Sequence, residues 1–233
     1  MPFVRTARFV QKGKEKCCDA RVQHLLCWQR GRNRKGYQEN QIVGTMKEEI
    51  YHILIKRECA HKCPLCCNRL YDLDNLPTIT GDQLRTAHTV CLTGGEPFMM
   101  DSWDLIHLCR GIRTQYPNIQ KLYIYSSGYG FALFSLDHWL KLINVIDGLN
   151  VSPKNEYEWH TLQVLHKQRH WAEYMSDPKL SNRLYVFDDQ WQEWEKIRGE
   201  VQLSDNWQVI GRKWDAEFKT PENEHFVRLP ILF

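Results

Sequence analysis

Four of the nine cysteines lie within nine residues of one another: Cys59, Cys63, Cys66 and Cys67. The first three are spaced C-x3-C-x2-C in the segment CAHKCPLC. Three thiolates on one short loop can bind three irons of a 4Fe–4S cluster, whereas a cluster bound only by protein takes four cysteines. An open coordination position is typical of metal sites that react. The spacing therefore predicts a reactive iron–sulfur centre on Cys59, Cys63 and Cys66, with Cys67 unligated.

The same loop also allows a structural zinc site, to which His61 would add a nitrogen ligand. Zinc ribbons pair two C-x2-C knuckles, and no second knuckle follows in the sequence. A further group, Cys17, Cys18 and Cys27, lacks a nearby fourth ligand, so we expect unligated thiols there rather than a second cluster. A zinc-stapled module that binds nucleic acid or protein is the alternative of another class.

A second candidate segment reads Gly94-Gly95-Glu96-Pro97 and follows an apolar run, TVCLT. Glycine has no Cβ, so the backbone can approach a ligand closely and adopt unusual dihedral angles. Proline then stiffens the exit of the turn. Polar residues also follow two later apolar runs: Ser126 after KLYIY, and Ser152 and Lys154 after LNV. Without the cysteines, each of these segments would be an ordinary strand-to-helix turn.

The elements that must position these residues alternate in type along the chain. Short β-like runs are predicted at 50–56, 89–93, 121–125, 149–152 and 184–187, with a sixth at 201–203 or 207–210. Helices are predicted from Asp101 or Ser102 to 115, from Ser135, and at 155–174 and 189–198. This pattern is typical of an α/β protein with a parallel sheet. Five or six βα units fit a partial (β/α)6 barrel, with its site at the carboxyl ends of the strands.

Composition divides the chain into three parts. Residues 1–36 hold ten Lys or Arg against two acidic residues, although the whole chain has a net charge of only +3. We therefore treat 1–45 as a basic N-terminal extension able to contact nucleic acid or an acidic partner. Residues 46–204 form the predicted barrel, and 205–233 a C-terminal segment covering its mouth. No apolar run is long enough for a membrane span or a secretory signal, so a cytoplasmic protein is expected.

Taken together, the two motifs resemble the radical S-adenosylmethionine (radical SAM) superfamily. In that family a C-x3-C-x2-C loop follows the first strand, and a Gly-Gly-Glu-Pro segment follows the second. The resemblance covers residues 48–190. It implies a partial barrel, a 4Fe–4S cluster on Cys59, Cys63 and Cys66, and reductive cleavage of S-adenosylmethionine to a 5′-deoxyadenosyl radical that abstracts hydrogen from a substrate.

The resemblance also implies roles for the other candidate residues. Gly94, Gly95 and Glu96 would bind the amino group of the cofactor's methionine part, through Glu96 or through backbone carbonyls. Leu65, where relatives usually have an aromatic residue, would pack on adenine. The remaining cofactor contacts would come from Ser126, from Ser152 on the ribose and from Lys154 on the methionine carboxylate.

The substrate class is less defined. The Val-Ser-Pro-Lys end of the fourth strand is weakly similar to 7-carboxy-7-deazaguanine synthases, which act on a pterin-type small molecule with Mg²⁺, but their N-terminal Gln-Gly-Glu-Gly segment is missing. The alternatives are an activase of a glycyl-radical enzyme and a peptide- or nucleotide-modifying enzyme. With any of these substrates, the protein would be an oxidoreductase or a lyase. The electron donor implied is a flavodoxin or a ferredoxin.

Overall fold

The computed structural model describes residues 48–63, 66, 72–215, 217 and 219–230. Within them, seven strands form one sheet: Ile50–Leu54 (β1), Thr89–Thr93 (β2), Lys121–Ser126 (β3), Gly148–Val151 (β4), Asn182–Phe187 (β5), Trp207–Arg212 (β6) and Glu224–Arg228 (β7). The order is β6-β5-β4-β3-β2-β1-β7, and every neighbouring pair is parallel. The carboxyl ends of all seven strands therefore meet at one edge.

The described residues also contain six α-helices: Gly81–Thr86 (α1), Ser102–Gln115 (α2), Leu136–Ile143 (α3), Glu156–Lys167 (α4), Arg169–Met175 (α5) and Trp191–Ile197 (α6). Asp101 caps α2, because its carboxylate accepts hydrogen bonds from the backbone N–H groups of Trp103 and Asp104. Ser135 caps α3 in the same way, through the N–H of His138. Both helix starts are as predicted.

The two faces of the sheet differ in chemistry. Alternate residues of each strand point to one face, where they join the helices in a continuous apolar core. Its strand members include Ile53, Leu92, Leu122, Ile124 and Leu149, all fully buried. The residues in register on the opposite face are largely polar or aromatic. We call this side the polar face; it carries His52, Cys91, Lys121, Tyr123, Tyr125, Asn150, Arg183, Tyr185, Phe187, Arg212, Glu224, Phe226 and Arg228.

The α/β class and the parallel sheet are confirmed, whereas the partial-barrel curvature stays a prediction. The first five strands lie within two residues of their predicted positions, and the sixth is Trp207–Arg212 rather than 201–203. The predicted helix 155–174 is two helices, because Gln168 is extended (φ −82°, ψ 112°) and both ends α4 and begins α5.

The C-terminal segment 205–233 contributes both outermost strands of the sheet. β6 pairs with β5, and β7, which the sequence pattern did not predict, pairs with β1. Between them, Trp214 stacks on Phe187 at the end of β5, with ring centroids 4.0 Å apart. That this segment covers a barrel mouth stays a prediction, and the predicted extension 1–45 lies outside the described residues. No helix in the described part of the chain is long and apolar enough to cross a membrane.

Candidate functional site

The cysteine loop leaves the carboxyl end of β1. Cys59, Cys63 and Cys66 are half-buried and not in disulfides. Burial raises the pKa of the Cys59 and Cys63 thiols above the ordinary value; the nearby Glu96 raises it further at Cys59, while Lys154 lowers it at Cys63. A metal ion or cluster binds the deprotonated form, so its binding would release protons here.

The side chains of the cysteine loop are not positioned as a complete set of metal ligands. Across the described residues, no three or more His, Cys, Asp or Glu side chains are already grouped as metal ligands. The donor chemistry nevertheless suits iron and sulfide, because the three thiols share one short loop and interact electrostatically with one another. That these thiols ligate a metal stays a prediction, and Leu65 and Cys67 lie outside the described residues.

The glycine segment packs directly against the cysteine loop. Gly94 and Gly95 have positive φ angles, 79° and 53°. A Cβ on Gly95 would lie 2.3 Å from the carbonyl oxygen of Glu58, the residue before Cys59. The backbone N–H of Glu96 donates to that same carbonyl at 2.9 Å. Only glycine at position 95 allows this approach, so the two motifs of the sequence are one structural unit.

Glu96 is a buried carboxylate that joins the glycine segment to the end of β3. It accepts hydrogen bonds from the hydroxyl of Ser126 (2.7 Å), from the N–H and hydroxyl of Ser127 (both 2.8 Å) and from the N–H of Phe98 (3.2 Å). Burial raises its pKa to about 7, although these hydrogen bonds oppose the shift. Its oxygens are therefore occupied by protein donors.

A second buried carboxylate, Glu158 of α4, reaches the same place. It is fully buried and accepts from the N–H of Lys154 at 2.6 Å. It also pairs with the ring of His61, which lies between Cys59 and Cys63. The hydroxyl of Ser127 is 2.8 Å from both Glu158 and Glu96. We call Glu96, Ser126, Ser127, Glu158 and His61 the loop junction.

The loop junction has one consequence for protonation. The Ser127 hydroxyl has a single proton and cannot donate to two carboxylates at once. Its two contacts are both favourable only when one carboxyl carries a proton. The raised pKa of Glu96 makes that carboxyl the natural holder. The Ser127 hydroxyl thus links the loops after β2 and β3 to the start of α4.

Lys154 stands beside the junction, after β4. Its ammonium donates to the hydroxyl of Ser152 at 2.7 Å and lies 3.9 Å from the ring centre of Phe187 and 4.8 Å from that of Trp214. Burial lowers its pKa to about 8, although the charges of Cys63, Asp189 and other groups oppose the shift. The predicted pair Ser152 and Lys154 is therefore in contact, and the ammonium interacts electrostatically with Cys63 and Cys66 of the cysteine loop.

The sequence reasoning missed part of this site. His61 was predicted only as an alternative zinc ligand, and no role was predicted for Ser127. Glu158 follows Asn155 by three residues, which is the spacing of a capping box, and Asn155 does cap α4 through the N–H of Glu158. That spacing is typical of a helix start and gives no sign of a buried carboxylate. The sequence predicted that segment 205–233 covers the barrel mouth, and it did not predict the contact of Trp214 with Lys154.

Comparison with known families agrees with the geometry. The model of a family described as "4Fe-4S single cluster domain", which is associated with radical SAM proteins, matches residues 48–169, just over half of the chain. The matched region spans the cysteine loop, the glycine segment, the loop junction and Lys154. The search of curated proteins found no match. The match to more than half of its length shows that the chain belongs to the 4Fe-4S single cluster domain family.

Proposed function

We propose that the protein is a radical SAM enzyme, with a 4Fe–4S cluster on Cys59, Cys63 and Cys66. The observation that carries the proposal is the contact between the cysteine loop and the Gly94–Gly95 segment. The charge of Lys154, which interacts electrostatically with Cys63 and Cys66, adds support. When bound, the cluster and S-adenosylmethionine supply one-electron chemistry that ends in hydrogen abstraction from a substrate. The sheet would curve as the partial barrel typical of this superfamily.

The chain's own residues bind and orient the cofactor. Because both oxygens of Glu96 already have hydrogen-bond partners in Ser126, Ser127 and Phe98, we assign the cofactor's amino group to the backbone carbonyls of the glycine segment. Glu96 then acts as a positioning residue, which holds that segment against β3. We also propose, as the resemblance implies, that Leu65 packs on the adenine ring.

Lys154 is the proposed partner of the methionine carboxylate. With a pKa of about 8 its ammonium is mostly charged at neutral pH, and an approaching carboxylate would raise that pKa again. The rings of Phe187 and Trp214 exclude water around it, which strengthens the ion pair. Ser152 holds the ammonium in place and stays the candidate for the ribose contact.

The finer parts of the proposal concern the substrate and the partners. A small molecule and a peptide are both compatible with the site, and a flavodoxin- or ferredoxin-type protein is the proposed electron donor. Since no curated protein matched, the comparisons add no support for a pterin-type substrate or for Mg²⁺. Residues 1–45 stay a candidate nucleic-acid or protein contact.

The test is anaerobic incubation of the iron- and sulfide-reconstituted chain with S-adenosylmethionine and dithionite, followed by quantification of 5′-deoxyadenosine. The wild-type chain should form it, and Cys66→Ala should not. Cys109→Ala, which changes a buried cysteine of α2 away from the loop, is the matched control and should retain formation. A chain that binds only colourless zinc and forms no 5′-deoxyadenosine would establish the zinc module instead.

A further inference from the structure

The polar face of the sheet carries more positive than negative charge. Among its described strand residues, Lys121, Arg183, Arg212 and Arg228 are cations, and Glu224 is the one carboxylate. Glu224 already receives a hydrogen bond from the His52 ring at 2.9 Å. Within the described residues, neither Arg183 nor Arg212 has a carboxylate within 4 Å.

The guanidinium groups of Arg183 and Arg212 contact aromatic rings rather than carboxylates. The guanidinium of Arg183 lies 4.8 Å from the ring centre of Tyr123, and that of Arg212 lies 5.1 Å from the ring centre of Tyr185. The rings of Tyr185 and Tyr125 are nearly parallel, with centroids 6.4 Å apart. Arg183 adds one long contact, 3.4 Å, to the amide oxygen of Asn150. A cation over a ring keeps its N–H donors available.

This arrangement borders the proposed cofactor site. Tyr185 precedes Phe187 by two residues on the same face of β5, and the Lys154 ammonium lies over Phe187. Arg212 is in register with Phe187 across β5 and β6. Arg183 is half-buried and Arg212 exposed, so both guanidinium groups are open to solvent on this face.

We propose that this part of the polar face binds the substrate, and that the substrate is a planar aromatic small molecule bearing a carboxylate or phosphate. Guanidinium groups match both oxyanions through paired N–H donors. Tyr125 and Tyr185 offer ring faces for the planar body. The role as a substrate site rests on the proposed function; the anion binding itself does not depend on the cluster.

The test measures binding of three probes to the reconstituted chain by anaerobic calorimetry. The probes are 2-naphthoate, 2-naphthyl phosphate and the neutral 2-naphthamide. At least one anionic probe should bind tenfold or more tightly than the amide, and the tighter of the two identifies the oxyanion. Equal binding of all three probes would overturn the proposal.

Variants locate the site. Arg183→Gln and Arg212→Gln should each weaken the preferred anionic probe at least fivefold and leave the amide unchanged. Arg198→Gln, on the exposed end of α6 beside Glu195, is the matched control and should bind as the wild type does. If circular dichroism shows that Arg183→Gln misfolds, Arg183→Lys takes its place. Lysine keeps the charge but lacks the paired N–H donors, so it should weaken the preferred anionic probe, but by less than the fivefold expected for Arg183→Gln. Wild-type affinity in both Gln variants would overturn the proposal.

The same probes separate this inference from the proposed function. The variant with Cys59, Cys63 and Cys66 all changed to Ala cannot hold the cluster, yet its polar face is intact, so it should retain the anion preference. Retained preference in a wild-type chain that forms no 5′-deoxyadenosine would refute the radical chemistry alone. Formation of 5′-deoxyadenosine without any anion preference would refute the anion site alone.

Discussion

The apolar side of the sheet and the loop junction are both buried, but they are buried for opposite reasons. On the apolar side, residues such as Leu122 and Trp139 lose contact with water and stabilise the fold by that loss. At the loop junction, Glu96 and Glu158 are buried to the same degree, with only 1% and 0% of their surface exposed. Burying a carboxylate is costly, and the hydrogen bonds that it gains offset that cost only in part.

The apolar side and the loop junction therefore have different roles. The apolar side would hold the sheet and helices together with many alternative side chains of similar volume. The junction contributes less to stability, but it fixes the cysteine loop, the glycine segment and the end of β3 relative to one another. We therefore expect changes on the apolar side to affect unfolding alone, and changes at the junction to affect the site as well.

The largest effect should come from the apolar side. Leu122→Ala removes a fully buried side chain from β3 and should lower the free energy of unfolding by about 4 kcal/mol, measured by urea denaturation. Leu133→Ala, at a position 74% exposed, is the control and should change it by less than about 0.5 kcal/mol. A loss at Leu122 no larger than the loss at Leu133 would contradict the account of this core.

The next effect is a pH dependence that belongs to the junction. Burial raises the pKa of Glu96 from 4.5 to about 7, so the folded state binds this proton more tightly than the unfolded state. Its stabilisation is present below pH 4.5 and is lost as the pH rises through 7. Between pH 4.5 and 8, the free energy of unfolding should fall by up to about 3 kcal/mol from this group.

Glu96→Gln should remove that part of the slope in urea denaturation of the cluster-free chain at pH 5, 6, 7 and 8. Glu200→Gln, an exposed glutamate that pairs with Lys167 on the surface, should leave the slope in place. An unchanged slope in Glu96→Gln would show that the pKa of Glu96 is not raised in the folded chain.

A smaller effect should separate the two glycine turns. Gly95→Ala and Gly128→Ala both place a Cβ at positive φ, but only the first meets the Glu58 carbonyl at 2.3 Å; the nearest atom at position 128 is 3.9 Å away. Gly95→Ala should therefore cost about 1–3 kcal/mol more than Gly128→Ala. It should also reduce the iron bound per chain after reconstitution. Equal costs and equal iron would mean that the two loops are not coupled as described.

The smallest effect compares two helix caps. Asn155→Ala and Ser135→Ala each remove a side chain that caps a helix, and each should cost about 1 kcal/mol in thermal or urea unfolding. Only Asn155 positions the helix that carries Glu158. Its replacement should also lower iron loading, whereas Ser135→Ala should not. Iron loading that falls equally in both variants would indicate general instability instead.

Much of the fold follows from the sequence because it depends on local patterns. Apolar runs bounded by caps and prolines give β1 to β5 and the starts of α2 and α3 nearly as predicted. β7 could not be predicted, because Glu224, His225 and Arg228 make its segment polar on average. It is a strand because β1 offers an unpaired edge, which is a property of the assembled sheet.

In the site, too, local sequence patterns predict some residues, and others depend on the assembled sheet. Spacing alone predicted Cys59, Cys63 and Cys66 as site residues, and glycine chemistry predicted Gly94 and Gly95. The loop junction could not be derived in this way, because Glu158 lies 97 positions after His61 in the sequence, and only the parallel sheet brings the two together. The charge of the polar face likewise depends on register, which places Arg183 and Arg212 on the same side.

Under the proposed function, three thiolates leave one iron of the cluster open to S-adenosylmethionine. Electron paramagnetic resonance of the reconstituted, dithionite-reduced chain tests it most directly. We expect the signal of a reduced 4Fe–4S cluster, and we expect its shape to change when S-adenosylmethionine is added. A cluster signal that the cofactor leaves unaltered, or a colourless chain without any signal, would contradict the claim.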